Sequence, residues 1–459
     1  MPLHATTRRN RLRIFAALLL LAGAGEFLVR GPIRFVRSAM VWNDFLSPYI
    51  QASAWAHGKD PYSAASIVLL WPSGNPQPDF IAREAANGTL PARRGIPSLY
   101  PVTSLVLLGP FVSLKWSTAE TLWIALNTTA LLVSLLALVA ISGASWRSLR
   151  VQFFIAAALA LAPLHTGLAT GNPAVLAIAL TIAAVWAACT GRDTTCGILL
   201  ALAICLKPTI AFALLFYYVL RRRWKIAAVA ATLTALITAV AASWLTHERV
   251  AWIASYIENN RKILAPGGLA DFTSADPLRF NLVNTQVLFY SLLGSISLAQ
   301  WLSLFLPAAL FAIWLLLYVK RKSQSPEVVE REFLEISALF VLSLLPVYHR
   351  FYDAGLLLWP LAWALLVANL RRRQLLTMLV ILPFFVPGAA LLDRLTQQGR
   401  VPASIARSGW WNRIVMPHEI WSLISLSIML LFFMRTATHS ANTQPATRIP
   451  SKRPEILAL

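Results

Sequence analysis

Asp44 is an isolated acid in the aromatic run "VWNDFLSPYIQASAWAHGKDPYS" (41–63). A lone carboxylate between Trp42 and Phe45 suits a general base that takes a proton from a hydroxyl. Much later, "LLPVYHRFYDAG" (344–355) sets His349 and Arg350 beside Tyr352 and Asp353. Both His and Arg are donors, and a guanidinium grips a phosphate with two parallel hydrogen bonds. Lys207 stands deep in the apolar stretch 196–220. An isolated ammonium at mid-bilayer costs about 2.5–3.5 kcal/mol on insertion scales, so it needs an anionic partner or a wet cavity, and a phosphate would serve. A base for an acceptor and cations for an anionic leaving group are the two halves of a transfer reaction.

Each of these residues also has a plainer reading. Asp44 would cap a juxtamembrane helix, and the His349-Arg350 pair would anchor a helix at the headgroups. Lys207 would snorkel, although it is far from either end of its stretch. Asp60-Pro61-Tyr62 after Gly58 is a turn signal, which makes Asp60 structural. His57, His247 and His418 read as interfacial residues, while His165 beside "GLATGN" stands evenly between cavity and packing. Asn87-Gly88-Thr89 matches a glycosylation sequon, a short pattern of little specificity.

The elements that must position these groups are apolar helices. A span needs about 20 apolar residues. Candidates are 14–30, 119–142, 150–168, 173–190, 225–246, 298–319, 333–348, 351–370, 374–393 and 414–434. The stretches 99–115 and 196–220 are apolar but broken, at Gly109-Pro110 and Lys207-Pro208. Proline removes a backbone donor and interrupts a helix. With both as full spans the chain crosses twelve times. With both as re-entrant hairpins it crosses ten times, and Arg147 and Arg150 join Arg221–Arg223, Lys320–Lys322 and Arg371–Arg373 on the inner side, as the positive-inside rule prefers. The hairpin version is the preferred one. Non-helical backbone at membrane depth is tolerated where protein or a wet cavity surrounds it.

The expected organisation is one transmembrane domain over 1–435. It carries a first outer loop (31–98) with juxtamembrane helices, a second outer loop (247–297) and a disordered cytoplasmic tail (436–459). The first span, behind Arg8 to Arg13, reads as an uncleaved span rather than a removable signal. Cys189, Cys196 and Cys205 fit no metal spacing and no disulfide framework, so they read as buried thiols.

Composition agrees with this reading. Of 459 residues, 58% are hydrophobic and 13% charged, against roughly 25% charged in soluble domains. Lys and Arg outnumber Asp and Glu by 40 to 19, but they cluster beside spans. No soluble basic domain exists to bind nucleic acid. There is no Walker loop, HExxH or GxSxG, which leaves an ATPase, a cytoplasmic nucleotide-sugar site and a zinc protease without their motifs.

The ordered series "NDFLSPYIQASAWAHGKDPYS", "YPVTSLVLLGPF", "GNPAVL", "GILLALAICLKPTIAFALL" with "RRRW", and "LLPVYHRFYD" resembles glycosyltransferase family 87 over residues 13 to about 370. These are polytopic enzymes of the GT-C fold, similar to polyprenyl-phosphate-mannose-dependent mannosyltransferases that build phosphatidylinositol mannosides. The sequence departs from the family pattern at "GNP" (171–173), where relatives often show Gly-Gln, and at Thr103 in a usually Pro-rich run.

The resemblance implies an all-α polytopic helix bundle of the GT-C type, with about 10–12 spans, outward-facing loops and possible re-entrant hairpins. It implies Asp44 as the catalytic base and Lys207, His349 and Arg350 at the donor phosphate. Trp42, Phe45, Tyr49, Tyr100, His165, Asn172 and Tyr352 would shape the substrate cavity. The implied reaction is an inverting transfer of a hexose, with mannose first in line, from a polyprenyl-phosphate donor to a glycolipid or envelope glycan acceptor. It would need no metal and no cofactor. The implied place is the inner (plasma) membrane, with the site on the non-cytoplasmic side, in contact with membrane lipids. A transporter or flippase, which often shows matching broken helices in its two halves, and a lipid-linked oligosaccharide ligase or polymerase are the competing classes.

Overall fold

The computed structural model describes residues 3–37, 43–75, 99–320, 328–346 and 348–440. Trp42, the sequon at Asn87 and residues 441–459 lie outside them. The chain is 78% helical, with no strand among the described residues. Six helices are long and apolar enough to cross a membrane, and a bent pair adds a seventh. Many apolar side chains on these helices point outward, among them Leu21, Leu236, Phe305, Leu316 and Phe432. The protein is an all-α polytopic membrane protein.

The first helix, α1 (Leu3–Arg30), passes through Gly31 into the short α2 (Pro32–Arg37), and α3 (Leu46–Ala56) follows. Then come α4 (Val102–Val112), α5 (Trp116–Ser142), α6 (Leu149–Ala160), α7 (Ala162–Thr170) and α8 (Ala174–Cys189). Between α6 and α7 the axis bends by 45°, because Pro163 sits in the first turn of α7 and removes a donor there. The next helices are α9 (Asp193–Leu206), α10 (Pro208–Leu220), α11 (Trp224–His247) and α12 (Trp252–Leu264). After them stand α13 (Ile296–Val319), α14 (Val328–Ser343), the irregular helix Phe351–Val367, α15 (Arg371–Ile381) and α16 (His418–Ser440).

The broken stretch 196–220 folds as a hairpin of two helices. Arg223, just after α10, pairs with Asp193 at the start of α9. The two feet of the α9–α10 hairpin are therefore adjacent, and Lys207 is its tip, with extended backbone (φ −151°, ψ 90°) ahead of Pro208. The 14 residues of α9 reach about 21 Å at 1.5 Å per residue, short of a bilayer core of about 30 Å. Helix α4 lies antiparallel against α3: Tyr62 Oη, past the end of α3, donates to the Tyr100 carbonyl before α4, and Tyr49 Oη, in the first turn of α3, donates to the Leu114 carbonyl after it.

Arg150 lines one depression with Glu330 and Asn369, and Glu330 also pairs with Arg373. This puts Arg150 at the same end as Arg373, and Arg221, paired with Glu332 of α14, lies there too. One boundary is corrected. Helix α16 runs on to Ser440, so the first residues of the expected tail at 436 are helical.

Two cores form. The larger joins α5–α10 with α14 and Phe351–Val367. Small residues bring its helices close: a Cβ on Gly197 of α9 would meet Val229 Cβ of α11 at 2.7 Å. The smaller core, at the end away from the basic runs, packs α3 and α4 against the start of α5 and the end of α11. Phe45 is fully buried there, stacked on Trp123 with ring centroids 4.6 Å apart and planes 9° apart.

Candidate active site

The residues beside Asp44 decide what its carboxylate can do. Asn43 Oδ1 accepts the backbone N–H of Phe45 (3.2 Å) and of Leu46 (2.9 Å). Asn43, not Asp44, thus satisfies the first orphan donors of α3. The Asp44 N–H is tied to the Thr170 carbonyl at 2.7 Å. Its Oδ2 accepts from Asn172 Nδ2 at 2.9 Å, and among the described residues the carboxylate has no other partner. Asn172 cannot turn its amide around, because its Oδ1 already accepts from Tyr100 Oη (3.3 Å) and the Ala174 N–H (2.9 Å). Gly171 makes this possible. It is left-handed at φ +69°, and a Cβ there would meet the Phe35 ring at 2.6 Å.

An Asn43→Ala variant removes the cap. Its unfolding midpoint falls, by an amount matching about 0.5–2 kcal/mol, and activity falls further because Asn43 also lines the cavity. Thermal unfolding and turnover of the same preparation test this, and an unchanged midpoint contradicts the cap.

Across the cavity stands Lys207, delivered by the tip of the α9–α10 hairpin. Its ammonium lies 2.5 Å from Asp353 Oδ1 and 4.8 Å from the centre of the Tyr352 ring. Asp353 is fully buried, and its Oδ2 lies 3.1 Å from His349 Nδ1 and 3.1 Å from the Arg350 N–H. Arg350 Nε donates to Tyr348 Oη and its Nη2 to the Leu269 carbonyl, both at 2.9 Å.

The roof is built from the "GKDPY" turn. Asp60 Oδ1 accepts the Tyr62 N–H at 2.9 Å, and its Oδ2 accepts from Ser255 of α12 at 2.5 Å. Asn259 of α12 donates to the Tyr62 carbonyl at 2.7 Å. Burial pushes the Tyr62 phenol well above its usual pKa, so it remains a donor to the Tyr100 carbonyl. These ties hold Tyr256 and Asn260 of α12 over a cavity of about 340 Å³, which Asp44, Tyr100, Asn172, Lys207, Tyr348 and Tyr352 also line.

The fold thus gathers a carboxylate, an ammonium, phenols and amides on one cavity, and a sequence comparison places the chain in a family. The model of glycosyltransferase family 87 matches residues 99–347, more than half of the 459. The chain belongs to glycosyltransferase family 87. Neither a curated protein nor a solved structure matches it. The family's activity is glycosyl transfer, and the match contains Tyr100, Asn172, Lys207, Tyr256 and Asn260. Asp44 and Asp353 lie outside the matched range, and their places rest on the geometry alone.

In this family 87 glycosyltransferase the expected site residues fall in different places. Asp44, Lys207, Tyr100, Asn172 and Tyr352 line one cavity. Five other residues do not. His349 is fully buried, with Nε2 3.1 Å from the Ser343 carbonyl and Nδ1 on Asp353, so it presents nothing to a ligand. Phe45 and Tyr49 pack in the smaller core beneath Asp44. His165 faces the other way, with its Cβ 3.5 Å from the point where a Gly31 Cβ would stand and its Nε2 4.0 Å from Glu26. Arg350 stands one layer behind the wall, holding Tyr348 and Leu269. Trp42 lies outside the described residues.

Sequence reading set Asp353 beside His349 without giving it a role, and it did not name Asn43, Tyr348, Tyr256 or Asn260. The signal for Asp353 was present: a lysine inside an apolar hairpin needs an anion.

Proposed function

We propose that this glycosyltransferase moves a hexose, with mannose the first candidate, from a polyprenyl-phosphate donor to a glycolipid or envelope glycan acceptor, on the non-cytoplasmic face of the inner membrane. The observation that carries the reading is one cavity with the Asp44 carboxylate and the Lys207 ammonium on separate elements and neutral polar groups around them. The acceptor hydroxyl gives its proton to Asp44 as its oxygen attacks the anomeric carbon. The bond from that carbon to the phosphate oxygen breaks on the opposite side, so configuration inverts. The phosphate leaves with the electron pair, and Lys207 offsets its charge.

Three further features support the reading. Asn172 holds one oxygen of Asp44 and leaves the other for the acceptor. A second depression of about 550 Å³, lined by Leu264, Ala270, Trp301, Leu304 and Pro346, shares Tyr348 with the polar cavity. Trp301 and Leu304 are exposed there, which suits a donor with a phosphate at one end and a long apolar chain at the other. The polar cavity is also at the small end of ligand sites, which span about 300–1,000 Å³. That favours a monosaccharide donor over the whole oligosaccharide of a ligase or polymerase.

The test is purified protein in detergent with a panel of polyprenyl-phosphate monosaccharides, read by lipid-phosphate release. Release with one or two hexoses is expected. Release only from an oligosaccharide pyrophosphate lipid would favour the ligase, and turnover with a soluble nucleotide sugar would discard the lipid donor.

A further inference from the structure

Three donors converge on the Asp353 carboxylate: Lys207 Nζ on Oδ1, and His349 Nδ1 with the Arg350 N–H on Oδ2. Asp353 and His349 have no exposed side-chain surface, whereas the Lys207 side chain keeps 13% and borders the cavity. His349 Nε2 faces the Ser343 carbonyl, which can only accept. The His349 ring is thus held between the Ser343 carbonyl and the Asp353 carboxylate, behind the acid and away from the cavity.

A lysine stem is long and turns freely. Here the ammonium is pinned by Asp353 on one side and by the Tyr352 ring on the other. One of its three N–H groups serves Asp353, and the others remain for an anion. An ammonium already in place where charge develops costs no reorganisation during the reaction.

We propose that Asp353 is a positioning residue that aims Lys207 into the cavity, and that His349 acts on the donor only through Asp353. This rests on the polyprenyl-phosphate reading, since the anion Lys207 meets is the donor phosphate. It replaces the direct His349–phosphate contact that the family resemblance implied.

A double-mutant cycle on the full chain in detergent tests it, with a polyprenyl-phosphate hexose as donor. Asp353→Asn lowers donor kcat/KM by about 10–100-fold, the scale of a slight misplacement of a reacting group, and leaves acceptor KM unchanged. In a Lys207→Met background the same change costs nothing more. His349→Gln lowers activity alone but adds no loss to Asp353→Asn. Losses that multiply in the Lys207→Met/Asp353→Asn double variant would overturn the link to Lys207. A rise in donor KM when His349→Gln is added to Asp353→Asn would restore the direct contact. If Asp353→Asn gives no monodisperse protein, Asp353→Glu keeps the charge and shifts the ammonium by one methylene. Wild-type kcat/KM in that variant overturns the proposal. Wild-type protein that releases lipid phosphate from no donor fails the functional reading itself, a different outcome from multiplying losses.

Discussion

Asp44→Asn is expected to lower turnover by about 10²–10⁴, the usual worth of a positioned base, while leaving the fold intact. The amide has the shape of the carboxylate and can still accept from Asn172 Nδ2, so the 2.9 Å contact to Asn172 survives. The Asp44 N–H still reaches the Thr170 carbonyl, and Asn43 still caps α3. What the variant lacks is a group that takes a proton. Donor binding should hold, because Lys207 and Asp353 sit on other elements. The measurements are kcat and donor KM together with thermal unfolding. Turnover within a few-fold of wild type, with unfolding unchanged, would take Asp44 out of the base role.

The second large effect concerns sidedness, and it is close to all-or-none. Arg150, Arg221 and Arg373 share one end of the bundle, and the smaller core beneath Asp44 lies toward the other. Under the positive-inside rule the basic end is cytoplasmic. Sealed right-side-out vesicles should therefore glycosylate an impermeant acceptor added outside, and inverted vesicles should not until they are permeabilised. Chelator should leave the rate unchanged, since Lys207 supplies the positive charge for the leaving phosphate. Transfer confined to inverted vesicles would reverse the topology. Loss on chelation with recovery on added Mg²⁺ would discard the metal-free mechanism.

How far the sequence foretold this molecule varies with the kind of question. Six of the expected spans, and a seventh as a bent pair, were legible because length and apolarity decide them, whereas 173–190, 333–348 and 351–370 form helices too short or irregular to count by that measure. The α9–α10 hairpin was legible from Lys207-Pro208, a charge and a helix breaker together in an apolar stretch. Asp44 and Lys207 stood out because each is a lone charge among apolar residues. Direction was harder. Successive side chains at a helix start point about 100° apart, so Asp44 faces the cavity while Phe45, its neighbour, faces the smaller core. The same geometry turns His165 toward Glu26 and leaves Asn172, past the Gly171 turn, toward Asp44. His349 looked like a ligand because the pattern gives a residue type and not its burial. Asp353 was visible beside His349 and Arg350, but no local rule pairs it with a lysine so far away in the chain.

That separation also sets an order of events. Lys207 and Asp353 are 146 residues apart, and at about 5–20 residues per second the ribosome needs roughly 7–30 s to make the interval. Through that time the hairpin tip carries a cation without its built-in anion. Asp193 and Arg223, only 30 residues apart, clip the hairpin's feet well before then. The hairpin is thus anchored at its base first and charge-balanced at its tip last, when Phe351–Val367 arrives. The cavity is completed by a late step of synthesis, and a chain that stops before Asp353 has the lysine without the acid that aims it.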